Sequence, residues 1–306
     1  MASVLGKFKQ SLTALAACLA ISTQVQALTV EHGKGTMEFD AVPQRVVVLG
    51  MSSLDVLDRL GIQPVGAVHD LFPPYLQEYG ASTTNVGSLK EPDYETIYTL
   101  KPDVIIAEPR MIKLYDDLNR IAPTIMFHSQ DANFWEGTQK NWDMLGKLFN
   151  KEAETAEIIA DIKADITAIN QTVTSQKLNT LMVMSNGSKL AMYDRNSRFS
   201  LLFDELGFIN ASETVRSKPT GAHGNLISFE YIAEANPSVM FVLDRDQAIG
   251  KEMGLAQKQF NNPLVTETRA VKEGRMIYVD PNAWYISNGG MTGVELVIDD
   301  VEKALK

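Results

Sequence analysis

The sequence predicts an α/β protein of two similar lobes, each a parallel sheet with helices on its faces, joined by one long helix. Three observations carry this. Residues 94–110, YETIYTLKPDVIIAEPR, are answered by residues 229–245, FEYIAEANPSVMFVLDR, at a constant offset of 135 residues. Each copy reads as a short helix, a Pro turn, a buried apolar strand and an Arg at the strand's end, because Pro stops the helix and the apolar run restarts as sheet. Strand-like and helix-like segments alternate along the chain, the pattern of a parallel sheet covered by helices. Finally, Ile158, Ile162, Ile166, Ile169 and Val173 recur at spacings of three and four, one face of a long helix.

Taken in order, residues 28–42 are polar with weak alternation and predict an edge hairpin. Arg45 leads into a strand over 46–49, and residues 45–49 lie 135 residues before residues 180–184. Ser52 and Ser53 are placed to cap the next helix, with Leu54, Leu57 and Leu60 on its inner face and Gly61 as its stop. A strand over 65–68 and a loop over 69–75 follow, then the first repeated unit. A helix near 113–120, a strand at 124–127 and a helix over 134–150 complete a first lobe, residues 28–150. The bridging helix is expected over 151–177, and its 25-residue periodic part spans roughly 37 Å at 1.5 Å per residue. The second lobe, 178–306, repeats the plan and ends with a strand at 276–279 and a closing helix from Gly293. Residues 58–61 are answered by 204–207 at an offset of 146, so the second copy has gained about eleven residues after its first strand. That insertion holds Tyr193, Asp194, Arg195 and Arg198. Two lobes of this size point to a ligand cleft between them.

The N-terminus carries Lys7 and Lys9, an apolar run over 12–21 and Val25-Gln26-Ala27, the pattern of a secretory signal in residues 1–27. The run is short for a membrane span. Cleavage after Ala27 takes the formal charge from −10 to −12. Cys18 is the single cysteine, so no intrachain disulfide forms. Leu15-Ala16-Ala17-Cys18 also looks like a lipobox, which leaves two routes: ordinary cleavage into the periplasm, or anchoring as a lipoprotein through Cys18. With 28 basic residues against 38 acidic ones, nucleic acid is not the expected partner.

Two Arg residues, Arg110 and Arg245, end equivalent strands and should face one cleft from opposite lobes, and Arg198 lies in the inserted loop. Three guanidiniums make a concave cationic site for a delocalised anion. Glu95 and Glu230 form a second pair at the same offset, each in the first turn of its helix.

The chain resembles the class III periplasmic binding proteins of iron–siderophore and cobalamin importers. The leader, the paired Lys-Pro-Asp-Val-Ile-Ile and Asn-Pro-Ser-Val-Met-Phe units and the bridging helix carry the resemblance. Within these it is most similar to catecholate-siderophore binders of the enterochelin and vibriobactin type, through Asp131-Ala132-Asn133-Phe134, Ser197-Arg198-Phe199, Gly221-Ala222-His223-Gly224, Val242-Leu243-Asp244-Arg245 and Trp284-Tyr285-Ile286-Ser287. The resemblance implies two Rossmann-like lobes bridged by one helix, with the ligand between them. It implies a non-enzymatic monomer with no permanently bound cofactor. Its ligand would be an iron(III)–catecholate siderophore, held by Arg110, Arg198 and Arg245. It further implies that His223 and Tyr285 complete the iron shell when the siderophore is tetradentate, and that Glu95 and Glu230 dock on the inner-membrane permease dimer of an ABC transporter and its ATPase. Imidazole and phenolate suit the two positions a bis-catecholate leaves open, phenolate better because iron(III) is hard. Haem is the nearer alternative ligand, and an exported hydrolase the more distant one. No Gly-x-Ser-x-Gly or His-Glu-x-x-His motif is present. Trp284 is the expected fluorescence reporter of binding.

Overall fold

The computed structural model describes residues 28–128, 133–214, 224–251 and 253–306. The leader with Cys18, and His223, lie outside them. The chain opens with an antiparallel hairpin, β1 (Leu28–His32) and β2 (Gly35–Phe39). The first lobe then runs β3 (Val46–Leu49), α1 (Met51–Arg59), β4 (Gly66–Ala67), α2 (Tyr79–Ser82), β5 (Thr84–Asn85), α3 (Tyr94–Leu100), β6 (Val104–Ala107), α4 (Tyr115–Asn119) and β7 (Thr124–Met126). Its five strands are parallel in the order β5-β4-β3-β6-β7. β3 and β6 are buried along their whole length, as unbroken Val/Ile runs must be when both sheet faces are covered. Helix α5 (Phe134–Leu148) leads into α6 (Glu152–Gln176), the long bridging helix, which buries Ile162, Ile166, Ile169 and Val173.

The second lobe contains β8 (Asn179–Asn186), β9 (Lys189–Tyr193), α7 (Leu201–Asp204), β10 (Ile209–Asn210), β11 (Asn225–Ile227), α8 (Phe229–Ala235) and β12 (Val239–Asp244). Short helices α9 (Arg245–Ala248), α10 (Leu255–Phe260), α11 (Pro263–Thr266) and α12 (Arg269–Lys272) precede β13 (Met276–Tyr278) and α13 (Met291–Lys303). The strands β10, β8, β12 and β13 are mutually parallel. The sheet is nevertheless mixed. The inserted residues do not simply lengthen a loop: β8 turns at Gly187 (φ +58°) into β9, which pairs antiparallel with it, and β11 pairs antiparallel with β9.

The repeat is structural in detail. α3 and α8 are capped by Asp93, which accepts from Thr96 N–H at 3.0 Å, and by Ser228, which accepts from Tyr231 N–H at 3.4 Å. Both helices end on a left-handed residue before a Pro, Lys101 (φ +48°) and Asn236 (φ +40°). Asp103 accepts from Gln44 N–H at 2.9 Å, and its counterpart Ser238 accepts from Asn179 N–H at 2.9 Å.

Two expectations change. Ser52 and Ser53 do not cap α1: its N-cap is Gly50, and both serines lie in the first turn. The buried carboxylate of Glu108, from the end of the neighbouring strand, takes that role. It accepts from Ser53 N–H at 2.8 Å and from Ser53 Oγ at 2.9 Å. Gly50 is required there, since a Cβ would sit 2.0 Å from the Glu108 carboxyl carbon. The closing helix begins at Met291, and it packs against α1 and α6 and not only on its own lobe. A continuous apolar cluster accordingly runs from β3 and β6 through α6 and α13 to Phe241 on the inner face of the second sheet. A second cluster, with Val183, Ile232, Val242 and Phe260, fills the outer face.

Candidate functional site

The carboxyl ends of the strands in both lobes open onto a cleft of about 390 Å³. From the first lobe it is walled by Ser52, Glu108, Arg110, Phe127, His128 and the start of α5, and from the second by Ser197, Arg198, Tyr285, Ile286, Asn288 and Gly289. Arg110 and Arg198 thus both line it, whereas the repeat predicted that Arg110 and Arg245 would face each other there. Arg198 is held by a compact turn, in which Asn196 N–H donates to Asp194 Oδ1 at 2.9 Å and Phe199 N–H to Ser197 Oγ at 3.2 Å. Phe199 then buries itself against Tyr193 and Trp284, which fixes where the preceding Arg leaves the backbone.

Arg245 does not line the cleft directly. It begins α9 behind Tyr285, donating from Nε to Tyr285 Oη at 3.0 Å and from Nη1 to Asn186 Oδ1 at 3.1 Å. The Arg198 and Arg245 guanidiniums lie 5.3 and 5.6 Å from the Tyr285 ring centre. The Tyr285 ring thus lies within cation–π reach of two guanidiniums. Among the described residues, no carboxylate forms an ion pair with Arg110, Arg198 or Arg245. Surrounding protein holds the Arg198 pKa below its usual range, and the like charge of Arg110 pushes the same way. The site therefore concentrates positive charge that a bound anion would relieve.

Two groups in the cleft were missed from sequence. Glu108 is buried, and burial raises its carboxyl above the usual range against the pull of Ser53 and of the Arg110 charge. His128 stands just past β7, and partial burial lowers its imidazole pKa, which favours the neutral ring. The signal was available: His128 follows a strand end just as Arg110 and Arg245 do. Trp284, expected as the reporter, faces the core. It is 2% exposed, stacks on Phe241 at 5.5 Å and donates to Asp300 Oδ2 at 3.0 Å. Its neighbour Tyr285 takes the cleft because the chain there makes a single π-helical turn, Asn282–Ile286, closed by Ser287 N–H to the Asn282 carbonyl at 2.9 Å.

Glu95 and Glu230 lie away from the cleft, exposed, each two residues after its helix cap on α3 and α8. The Ser228 hydroxyl holds the Glu230 carboxyl below its usual range.

The family described as "Periplasmic binding protein" matches residues 46–283. The petrobactin-binding protein YclQ of Bacillus subtilis is 33% identical over 289 residues, which cover 93% of this chain and 90% of that protein. The ferric-anguibactin-binding protein FatB of Vibrio anguillarum is 31% identical over 309 residues, covering 96% and 94%. Among solved structures, the periplasmic catecholate-siderophore binding protein VctP from Vibrio cholerae superposes with a TM-score of 0.85 at 41% identity, covering 90% of this chain and 99% of that one.

Proposed function

The chain belongs to the periplasmic binding protein family, and we propose that it captures an iron(III)–catecholate siderophore in the inter-lobe cleft and delivers it to the permease of an ABC importer. The observation that carries this is the cationic cleft: Arg110 and Arg198 on opposing walls, with Tyr285 between Arg198 and Arg245. Iron(III) with three catecholate dianions carries three negative charges, spread over outward-facing oxygens that guanidiniums can reach as paired donors. Iron arrives here as cargo with its own ligands, so the protein's work is charge matching and shape, not catalysis.

In this reading, a hexadentate siderophore is held by the Arg residues alone. A tetradentate one leaves two positions on iron, which Tyr285 and His223 fill. Glu95 and Glu230 present equivalent carboxylates to the two permease subunits. Residues 1–27 direct export, followed by release into the periplasm or by lipid anchoring at Cys18.

The test is a titration panel with the mature chain: a ferric tris-catecholate, a ferric bis-catecholate, a neutral ferric hydroxamate and haem, followed by tyrosine and tryptophan fluorescence together with visible absorbance. Sub-micromolar affinity for the catecholates is expected, more than roughly 8 kcal/mol, and it should exceed that for the hydroxamate. Equal affinity for the neutral complex, or a Soret shift with haem at lower concentration than any catecholate, overturns the proposal.

A further inference from the structure

Tyr285 belongs by sequence to the second lobe, yet the backbone that follows it is fastened to the first. The Ser287 hydroxyl lies 2.8 Å from the Tyr75 hydroxyl, which in turn donates to Asp55 Oδ2 at 2.8 Å. Asp55, on α1, also accepts from Thr292 N–H and Gly293 N–H, each at 2.9 Å, and so caps α13 across the lobe boundary. Between these points Gly289 donates its N–H to Ser52 Oγ at 3.3 Å and accepts from Trp142 Nε1 at 2.8 Å. One turn further along, Arg59 of α1 pairs with Glu295 of α13. Gly290 is what lets α1 and this segment approach, since a Cβ there would lie 2.3 Å from Asp55 Oδ2. By contrast, among the described residues the hydrogen bond that the Tyr285 side chain makes to the second lobe is that from Arg245.

We infer that Asp55 and Tyr75 are positioning residues for the cleft phenol: from the first lobe they set the backbone that follows Tyr285, and with it the place of the phenol in the cleft. The inference rests on the reading that Tyr285 meets iron in a tetradentate complex. Its physical content is a difference in strength. Several first-lobe bonds, that from Gly293 N–H to Asp55 buried and the others part-buried, hold residues 287–293. One partly open bond holds the phenol to Arg245. The first-lobe bonds therefore fix the backbone just after Tyr285, while Trp284, stacked on Phe241, anchors the backbone just before it in the second lobe.

The experiment uses the mature chain with two probes, the ferric complexes of a linear bis-catecholamide and of a hexadentate tris-catecholamide. Affinity and the visible charge-transfer spectrum are measured for wild type, Tyr75→Phe, Ser287→Ala, Asp55→Asn and Tyr285→Phe, each first checked for cooperative thermal melting. The expected result for Tyr75→Phe is about tenfold weaker binding of the tetradentate complex, the scale of one lost hydrogen bond. Its spectrum should move toward that of Tyr285→Phe, while hexadentate binding stays within about twofold, inside ordinary context scatter. Ser287→Ala should do the same without touching Asp55, which keeps the test open if Asp55→Asn fails to fold. Equal weakening of both complexes would show a merely structural role and overturn the inference. So would a tetradentate spectrum shifted by Tyr285→Phe but untouched by Tyr75→Phe and Ser287→Ala. An unchanged spectrum in Tyr285→Phe would remove the iron-ligand reading itself, and the inference with it.

Discussion

Replacing Asp55 by Asn separates two effects that oppose each other at the junction of α1 and α13. The carboxylate has no exposed surface, which disfavours its charge, while Thr292 N–H, Gly293 N–H and the Tyr75 hydroxyl all donate to it, which favours it. Burial wins, and the carboxyl is pushed up from 3.8 to about 6. At 1.36 kcal/mol per unit the folded protein disfavours the charged form by about 3 kcal/mol. The sign follows from linkage. A raised folded-state pKa gives stability that is full below the unfolded value and is lost as pH climbs through the folded one. The stability difference, wild type minus Asp55→Asn, should therefore shrink by most of that amount between pH 4 and pH 7. Tyr75 adds nothing to the slope, because burial beside Asp55 holds its phenol far above this window. At pH 7 the variant should still be impaired, because its amide nitrogen faces donors and leaves one of them unmet, a cost of about 1–3 kcal/mol. Urea denaturation of the ligand-free chain at half-unit pH steps measures both. A difference that stays flat from pH 4 to 7, or widens with rising pH, would refute the reasoning and mean that the helix cap outweighs burial.

Arg110→Ala and Arg198→Ala should each weaken ferric tris-catecholate binding by about 1.5–3 kcal/mol, the scale of a hydrogen bond to a charged group, read by fluorescence titration. Arg245→Ala should harm the tetradentate complex more than the hexadentate one, because it also removes the partner of Tyr285, and the same titration with both complexes shows it. Charge reversal at Glu95 and Glu230 together should leave ligand affinity intact and stop iron uptake in cells, and collapsed affinity would place these residues in the fold instead. Gly290→Ala should cost about 1–3 kcal/mol of stability, since its Cβ falls on Asp55 in a junction with no slack.

The sequence alone determined the two-lobe plan, because the plan is written in local and repeated features. Helix periodicity, Pro stops and apolar strand runs act over a few residues, and the 135-residue offset exposed the paired helix–Pro–strand units. Arg110 and Arg198 were legible for the same reason: strand ends and insertions in parallel sheets open on one side. What needed the folded chain were contacts between segments far apart. Glu108 became the effective cap of α1 because β6 lies beside β3, and no local rule pairs residues 53 and 108. The insertion became strand β9 because an edge of β8 was free to accept it. Arg245 moved behind Tyr285, and Trp284 turned inward while Tyr285 turned out, because one π-helical turn sets which neighbour faces the core. The closing helix crossed to α1 because Asp55 offered a buried carboxylate to its unpaired N-terminal amides, a match between residues 55 and 292 that chain order does not bring together.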